Sequence, residues 1–107
     1  MIRHIVLIRF KTDVTEDVIA GLFEELHQIE GKVPGLLSIC SGRSESPEQM
    51  ERGYMHGFVV EFDDWTGLQA YQDNAEHQLF GARLVSHADG GKDGILVFDL
   101  PISEETR

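Results

Sequence analysis

Three histidines and one tyrosine are the side chains of this sequence best suited to chemistry: His4, His56, Tyr71 and His77. An imidazole titrates near neutral pH, so it can take a proton from a carbon or oxygen acid without a large shift of its pKa. A phenol in apolar surroundings stays neutral and can donate a hydrogen bond to a developing oxyanion. These residue types predict a catalytic pair in which His77 moves the proton and Tyr71 is the donor.

Each histidine also has a structural interpretation. His77 would then cap or hydrogen-bond a break between two short helices, and backbone carbonyls in the core would satisfy His4 and His56. A divalent metal site built from the three imidazoles is a weaker hypothesis, because their spacing is not a local ligand motif and no carboxylate clearly joins them. We therefore expect neither a metal nor a cofactor.

The hydrophobic pattern predicts the elements that must position these side chains. Four short runs rich in β-branched residues are expected to be strands, at 2–10, 36–42, 54–62 and 94–100. Between the first two, apolar residues at helical spacing from Val14 to Val33 predict an amphipathic helix that Pro34 and Gly35 end. A second helical region begins near Trp65 and is interrupted at Asn74. Residues 103–107 are expected to be a loose tail.

The element order β-α-β-β-α-β is the ferredoxin-like arrangement of α+β proteins. Right-handed crossovers place the helices on one face of a four-stranded antiparallel sheet, in one domain that spans residues 1–107. The first and third strands would be neighbours in the middle, so their inner faces and the helices enclose one mostly apolar pocket, typical of a small-molecule site. The residues expected to contact a ligand there are His4, Val6, Ile8, His56, Phe58, Val60 and Phe80.

The opposite face of the sheet would be bare and apolar. It is expected to carry Ile5, Leu7, Met55, Val59 and alternate residues of the last strand, either Ile95 and Val97 or Leu96 and Phe98. Contiguous apolar patches of this kind usually mark an interface, and a two-fold partner covers both copies at once. We predict a homodimer whose sheets pack face to face into a barrel.

Composition excludes several classes of function. The 107 residues carry 9 Lys and Arg against 19 Asp and Glu, a formal charge of -10. This charge repels nucleic acids and anionic membranes, so neither is an expected partner. The single cysteine, Cys40, rules out an intrachain disulfide and a cysteine-based zinc site. With no signal-like start and no run of about 20 apolar residues, a cytoplasmic location is expected.

Several short motifs occur in a recognisable order along nearly the whole chain. They are the opening strand with His4, Val33-Pro34-Gly35, Tyr54-Met55-His56, Tyr71 followed by His77, and Val97-Phe98-Asp99. In these motifs the chain resembles the stress-responsive A/B barrel (Dabb) family of the dimeric α+β barrel superfamily. The resemblance implies a dimeric barrel, and it covers stress-stability proteins as well as a plant polyketide cyclase.

In that cyclase, residues at positions resembling Tyr71 and His77 assist an aldol-type ring closure. The family often shows Tyr-x-x-His-Pro-x-His at this place, whereas this chain has Asn74 and Ala75 for the first His and the Pro. Three functions remain open: a cofactor-independent cyclase or isomerase acting on a small apolar or polyketide-like molecule, a non-catalytic stress-related or ligand-binding dimer, and a cofactor-independent monooxygenase.

Overall fold

Strands and helices follow one another in the order that the hydrophobic pattern predicts. The computed structural model describes residues 1–103; of the predicted tail, residues 104–107 lie outside the described part. The four strands, β1 to β4, cover Ile2–Ile8, Leu36–Arg43, His56–Phe62 and Ile95–Pro101. The three helices, α1 to α3, cover Glu16–His27, Trp65–Asp73 and Ala75–His87. A short 3-10 turn at Gly91–Gly94 leads into β4.

The strands form one antiparallel sheet in the order β2-β3-β1-β4. β1 and β3 therefore occupy the middle, as predicted, and His4 lies opposite Val60 in their register. On the other side of β1, His4 lies opposite Asp99 of β4. Packing of the helices on one face of this sheet confirms the ferredoxin-like fold.

Burial alternates along the central strands because successive side chains of a strand point to opposite faces. In β1 the buried residues are Ile2, His4, Val6 and Ile8. They pack with the apolar stripe of α1 and with the buried side chains of α2 and α3 into one core. Removing such a side chain from water contributes about 1.5–3 kcal/mol. Within residues 1–103, none of the helices is long and apolar enough to cross a bilayer.

The first helix is shorter than its hydrophobic stripe. α1 ends at His27, and Gly31 then adopts a left-handed conformation with φ of 80°. Ile29 and Val33 are nevertheless buried, because the turns after the helix keep them against the core. The prediction that the helix ends at Pro34 was therefore wrong. Apolar spacing indicates which residues are buried, and residues in the turns after a helix can be buried as well as those within it.

Two glycines allow the end of the first crossover to pass close to α2. Gly35 has φ of 84°, and a Cβ on Gly67 would lie 3.1 Å from its carbonyl oxygen. Gly67 also donates its backbone N–H to the N-cap side chain of Asp64. This contact sets where α2 begins relative to β2, and hence where Tyr71 lies over the sheet.

Replacing Gly67 with alanine should therefore destabilise the fold by about 1–3 kcal/mol, because the new methyl group overpacks against backbone that cannot move freely. Gly21→Ala is the matched control, since a Cβ there meets nothing within 4 Å. That change should stabilise α1 by about 0.5–1 kcal/mol. Urea unfolding followed by circular dichroism measures both, and equal effects of the two changes would contradict the close contact.

Candidate active site between the helices and the sheet

A cavity of about 250 Å³ lies between the inner face of the sheet and the helices α2 and α3. Its lining is mostly apolar, with two imidazoles, one phenol and one amide. The lining residues are His4, Val6, Phe58, Tyr71, Gln72, His77, Phe80, Gly81, Leu84, Val85, Ile95 and Val97. Val97 is 58% exposed although it lines the cavity, so the cavity opens between β4 and α3.

The break between α2 and α3 brings Tyr71 and His77 together. At this break Asn74 has extended backbone, and its N–H donates to the carbonyl of Tyr71 at 3.1 Å. Its side-chain Oδ1 accepts from the backbone N–H of His77 at 2.9 Å, as an N-cap residue does. Asn74 thus ends one helix and begins the next, and this chain keeps the turn without the family's His and Pro.

The rings of Tyr71 and His77 are in direct contact. Their centroids lie 3.9 Å apart and their planes are inclined by 38°. Tyr71 Oη and His77 Nδ1 are both buried, and neither has a hydrogen-bond partner within residues 1–103. A buried polar group without a partner costs about 1–3 kcal/mol, so a hydrogen bond made to either atom would stabilise the protein.

Both side chains are uncharged at neutral pH. Burial lowers the pKa of His77 to about 4, and the nearby His4 adds to this effect, while the nearby Gln72 backbone opposes it. Burial also raises the pKa of the Tyr71 phenol above its ordinary value of 10. A neutral imidazole can accept a proton and a neutral phenol can donate a hydrogen bond.

A second imidazole borders the pair. His4 Nδ1 lies 2.5 Å from Asp99 Oδ1, because the two residues are directly opposite in the β1–β4 register. The carboxylate orients the ring and favours the tautomer with the proton on Nδ1, which leaves Nε2 as an acceptor. The His4 ring also makes an edge contact with the Tyr71 ring, with centroids 5.8 Å apart.

His56 lies outside this cavity, so the expectation that His4 and His56 share one concavity is wrong. Both face the helices, but His56 pairs with Ile8, about 13 Å further along β1 at ~3.3 Å per residue. Its Nε2 lies 3.0 Å from both carboxylate oxygens of Glu16, at the start of α1. This bond and an Arg43 contact lower the pKa of Glu16, and they tie α1 to the edge of the sheet.

Of the residues predicted to contact a ligand, the structure brings four to the cavity beside Tyr71 and His77: His4, Val6, Phe58 and Phe80. Ile8 and Val60 are fully buried core residues and, like His56, do not line it. Sequence reasoning missed Asp99 as a partner of His4. The signal was present, because an aspartate within the apolar run of β4 shares the inner face with Ile95 and Val97.

The arrangement can do proton-transfer chemistry on a small molecule. It offers an acceptor nitrogen, a hydroxyl donor and a second imidazole held by a carboxylate, all at one apolar cavity. Within residues 1–103, no three side chains of the His, Cys, Asp and Glu types are grouped so that they could hold a metal ion. The cavity and fold together define a small ferredoxin-like protein with a candidate acid–base site.

Comparison with known proteins shows the family of this chain. The model of the stress responsive A/B barrel domain matches residues 2–102, so the chain belongs to this family. A Jannaschia protein, described as a dimeric ferredoxin-like protein of unknown function, is 32% identical, with a TM-score of 0.88. The match covers 94% of this chain and 98% of the Jannaschia chain. No curated protein matches the sequence.

Two more distant structures share the fold. A hydroxynitrile lyase from Passiflora edulis is 18% identical, with a TM-score of 0.82 and coverage of 96% of this chain and 94% of its own. An antibiotic biosynthesis monooxygenase is 14% identical, with a TM-score of 0.72 and coverage of 96% and 99%. At these identities the likeness concerns the fold alone, and fold does not determine chemistry.

Removing the Tyr71 hydroxyl should not harm stability. Because Oη is buried without a partner, Tyr71→Phe is expected to leave the free energy of unfolding unchanged or to raise it by up to about 1 kcal/mol. Tyr54→Phe is the control, since the Tyr54 hydroxyl donates to the carbonyl of Asp93 at 3.4 Å. Urea unfolding measures both, and a clear loss of stability in Tyr71→Phe would show that its hydroxyl has a structural partner.

The titration of His77 should follow its burial. A pH series of NMR spectra is expected to show its ring protonating near pH 4 in the folded chain, whereas the unfolded chain protonates near 6.5. Between these values the unfolded state binds more protons, so the free energy of unfolding falls as the pH is lowered from 6.5 to 4. His77→Gln should flatten this decline. A ring that titrates at or above 6.5 would contradict the buried, neutral state.

Proposed function

We propose that this protein catalyses proton transfer on a small, neutral carbonyl compound, without a cofactor and as a homodimer. The observation that carries the proposal is the pair of buried, unpartnered atoms, Tyr71 Oη and His77 Nδ1, at one apolar cavity. Neither atom contributes to stability in that state. A ligand oxygen and an acidic hydrogen would satisfy both at once.

In the proposed step, His77 Nδ1 takes a proton from the carbon next to a carbonyl group. The electron pair of the broken C–H bond forms a C=C bond, and the carbonyl π electrons move to the oxygen, giving an enolate. The Tyr71 hydroxyl donates a hydrogen bond to that oxygen, where the negative charge develops. The enolate carbon then attacks a second carbonyl carbon, which closes a ring, and the alkoxide so formed takes the proton held by His77. Alternatively, His77 returns the proton to the enolate, either at oxygen or at the opposite face of the same carbon, which isomerises the molecule.

The lining supports a neutral ligand over an anionic one. None of the lining residues is Lys or Arg, and the Asp99 carboxylate that contacts His4 would repel an anion. A carboxylate or phosphate would lose its hydration in the cavity with no cation to replace it. The apolar walls formed by Phe58, Phe80 and Leu84 suit an aromatic or alkyl group beside the carbonyl.

His4 is proposed to act in the same step as a second acid–base group. With its Nδ1 proton directed at Asp99, its Nε2 can exchange a proton with a ligand that touches Tyr71. Deprotonation of a hydroxyl group, as cleavage of a hydroxynitrile requires, would use the same acceptor and donor. The lyase that shares the fold is in keeping with such chemistry, although it is too distant to assign it.

The homodimer is proposed from the outer face of the sheet. Leu7, Leu96, Phe98 and Leu100 are between 38% and 61% exposed there, which is costly for an isolated domain. The similar Jannaschia protein is described as dimeric. A second copy that covers this face would bury the apolar side chains of both chains and leave each cavity on the far side of its sheet.

Deuterium incorporation tests the catalytic proposal without knowledge of the natural substrate. Acetophenone and 2-heptanone, two neutral ketones, are incubated with the protein in D₂O, and loss of the α-proton signal is followed by NMR. The wild type should accelerate exchange, and His77→Gln and Tyr71→Phe should each lower the enzymatic rate by about 100-fold. The rate should stay level from pH 7 to 5 and fall toward pH 4, since only neutral His77 accepts the proton.

Two helical glycines provide a matched pair of controls. Gly81 lines the cavity and Gly21 does not, and a Cβ at either position meets nothing within 4 Å. Gly81→Leu should prevent ketone binding and abolish exchange, whereas Gly21→Leu should retain both ketone binding and exchange. Ketone binding without accelerated exchange would favour the non-catalytic ligand-binding dimer, and the absence of both would overturn the proposed site.

A further inference from the structure

A serine, a histidine and a glutamate are joined by hydrogen bonds where the end of α1 meets β2. His27 Nε2 lies 2.9 Å from Ser41 Oγ, and His27 Nδ1 lies 2.8 Å from Glu30 Oε1. The imidazole therefore stands between a hydroxyl group and a carboxylate, with one ring nitrogen toward each. His27 and Ser41 are 14 positions apart in the chain, so only the fold brings them together. None of the three residues lines the cavity described above.

Local structure positions the histidine and the glutamate. His27 is the last residue of α1, one helical turn after the buried Phe23, so both lie on the same side of the helix. Glu30 follows in a turn, where its N–H donates to the His27 carbonyl at 3.1 Å. Ile29 is only 1% exposed and holds this turn against the core. The carboxylate then reaches back to Nδ1, which favours the tautomer with the proton on that nitrogen and leaves Nε2 as an acceptor.

The serine comes from the edge strand of the sheet. Ser41 lies opposite Phe58 of β3, whose side chain is buried under the helices, so both side chains are on the helix side of the sheet. Ser41 is nevertheless exposed, because β2 is an outer strand. A partner that covers the outer face of the sheet would therefore leave this hydroxyl accessible. With Nε2 as acceptor, Ser41 donates its hydrogen to His27, which is how a serine nucleophile is placed against its base.

A backbone N–H is available beside the same hydroxyl. The N–H of Ser44 donates to the carbonyl of Met55 at 2.7 Å, and in an antiparallel ladder such bonded pairs alternate with non-bonded ones. Three pairs earlier, Ser41 and Phe58 are therefore a non-bonded pair, and the N–H of Ser41 points away from β3 toward the open edge of the sheet. A donor in this position can stabilise the negative oxygen that forms when the serine attacks a carbonyl group.

We propose that Ser41, His27 and Glu30 form a second catalytic site, which hydrolyses small, neutral carboxylic esters. The proposal is independent of the chemistry proposed for the cavity. The site lies at an exposed edge, so it suits a short acyl group better than a long chain that needs an apolar pocket. The formal charge of -10, together with Glu30 beside the ring, repels an anionic ester.

The reaction proceeds in two steps. Ser41 Oγ attacks the ester carbonyl carbon while His27 Nε2 takes the hydroxyl proton, and the carbonyl π electrons move to the oxygen beside the Ser41 N–H. When the C=O bond forms again, the bond to the alcohol breaks and the alcohol oxygen takes the proton from His27. Water then attacks the acyl-serine and gives a proton to His27, which returns it to Ser41 Oγ as the carboxylic acid leaves. Glu30 is a positioning residue, since it orients the ring and stabilises its transient positive charge.

Hydrolysis of p-nitrophenyl acetate at pH 8, followed by the absorbance of p-nitrophenolate, tests the nucleophile and the base. Ser41→Ala and His27→Gln should each lower kcat/KM by about 100-fold. Ser86→Ala is the matched control. Ser86 Oγ lies 3.2 Å from His87 Nδ1, but this nitrogen is also 2.7 Å from the Arg83 carbonyl oxygen and has no carboxylate beside it. That variant should hydrolyse the ester at the wild-type rate.

Glu30→Gln tests the positioning residue. It should lower kcat by about 10-fold and leave KM unchanged, because an amide can still contact the ring but does not stabilise its positive charge. If the carboxylate only joined the turn to the ring, the change would alter the free energy of unfolding and leave kcat as it is. Urea unfolding of the same variant measures this, and an unchanged kcat would contradict the role of Glu30.

Covalent labelling locates the nucleophile directly. With a fluorophosphonate, Ser41 Oγ forms a bond to phosphorus as the P–F bond breaks, fluoride leaves, and His27 takes the hydroxyl proton. Peptide mapping by mass spectrometry should find the label on Ser41 of the wild type and should not find it in His27→Gln. Circular dichroism should show that both proteins are folded, since Ser41 is exposed and His27 is half-buried.

The outcomes separate this site from the cavity. Equal hydrolysis by the wild type, Ser41→Ala and His27→Gln would overturn the proposal, as would a wild type that is not labelled at Ser41. Loss of hydrolysis in His77→Gln with full activity in His27→Gln would assign the reaction to the cavity and also overturn it. Ser41→Ala should retain the ketone exchange proposed for the cavity, so failure of one site leaves the other open to its own test.

Discussion

The antiparallel register of β1 with its two neighbours is the constraint on which the rest of this structure depends. It places His4 opposite Asp99 on one side and opposite Val60 on the other. A shift by one residue would turn His4 outward and bring Arg3 into the core, because side chains alternate between faces. The same register decides which side chains of β1 and β4 lie together on the outer face. One set of backbone hydrogen bonds thus determines both the polar end of the cavity and the surface for a partner.

The second determinant is the interruption of the helical layer at Asn74. A continuous helix would carry Tyr71 and His77 to different sides, since their separation is not a multiple of the helical repeat. The cap at Asn74 restarts the helix and returns His77 to the ring of Tyr71. The result is a site with a stability cost, because Tyr71 Oη and His77 Nδ1 are buried without partners.

Much of the fold follows from local pattern. The alternation in β1 and β3 predicts their inner faces correctly, and the pairing of Tyr71 with His77 at a helix break was visible in the sequence. The position of His56 was not predictable in the same way. Alternation assigns a residue to a face but not to a place along the strand, and only the pairing of His56 with Ile8 shows that it lies far from His4. Its partner Glu16 is distant in sequence and close only in the folded chain.

By itself, the sequence determined the order of strands and helices, the acidic surface, and the two apolar faces of the sheet, since these depend on residue type and spacing within a few positions. Tertiary structure alone decided that His4 contacts Asp99 and that His56 contacts Glu16 at the start of α1. It also decided that Leu96 and Phe98 face outward, instead of Ile95 and Val97. The physical reason is that these outcomes depend on strand register, which joins residues far apart in the chain through backbone hydrogen bonds that no local pattern encodes.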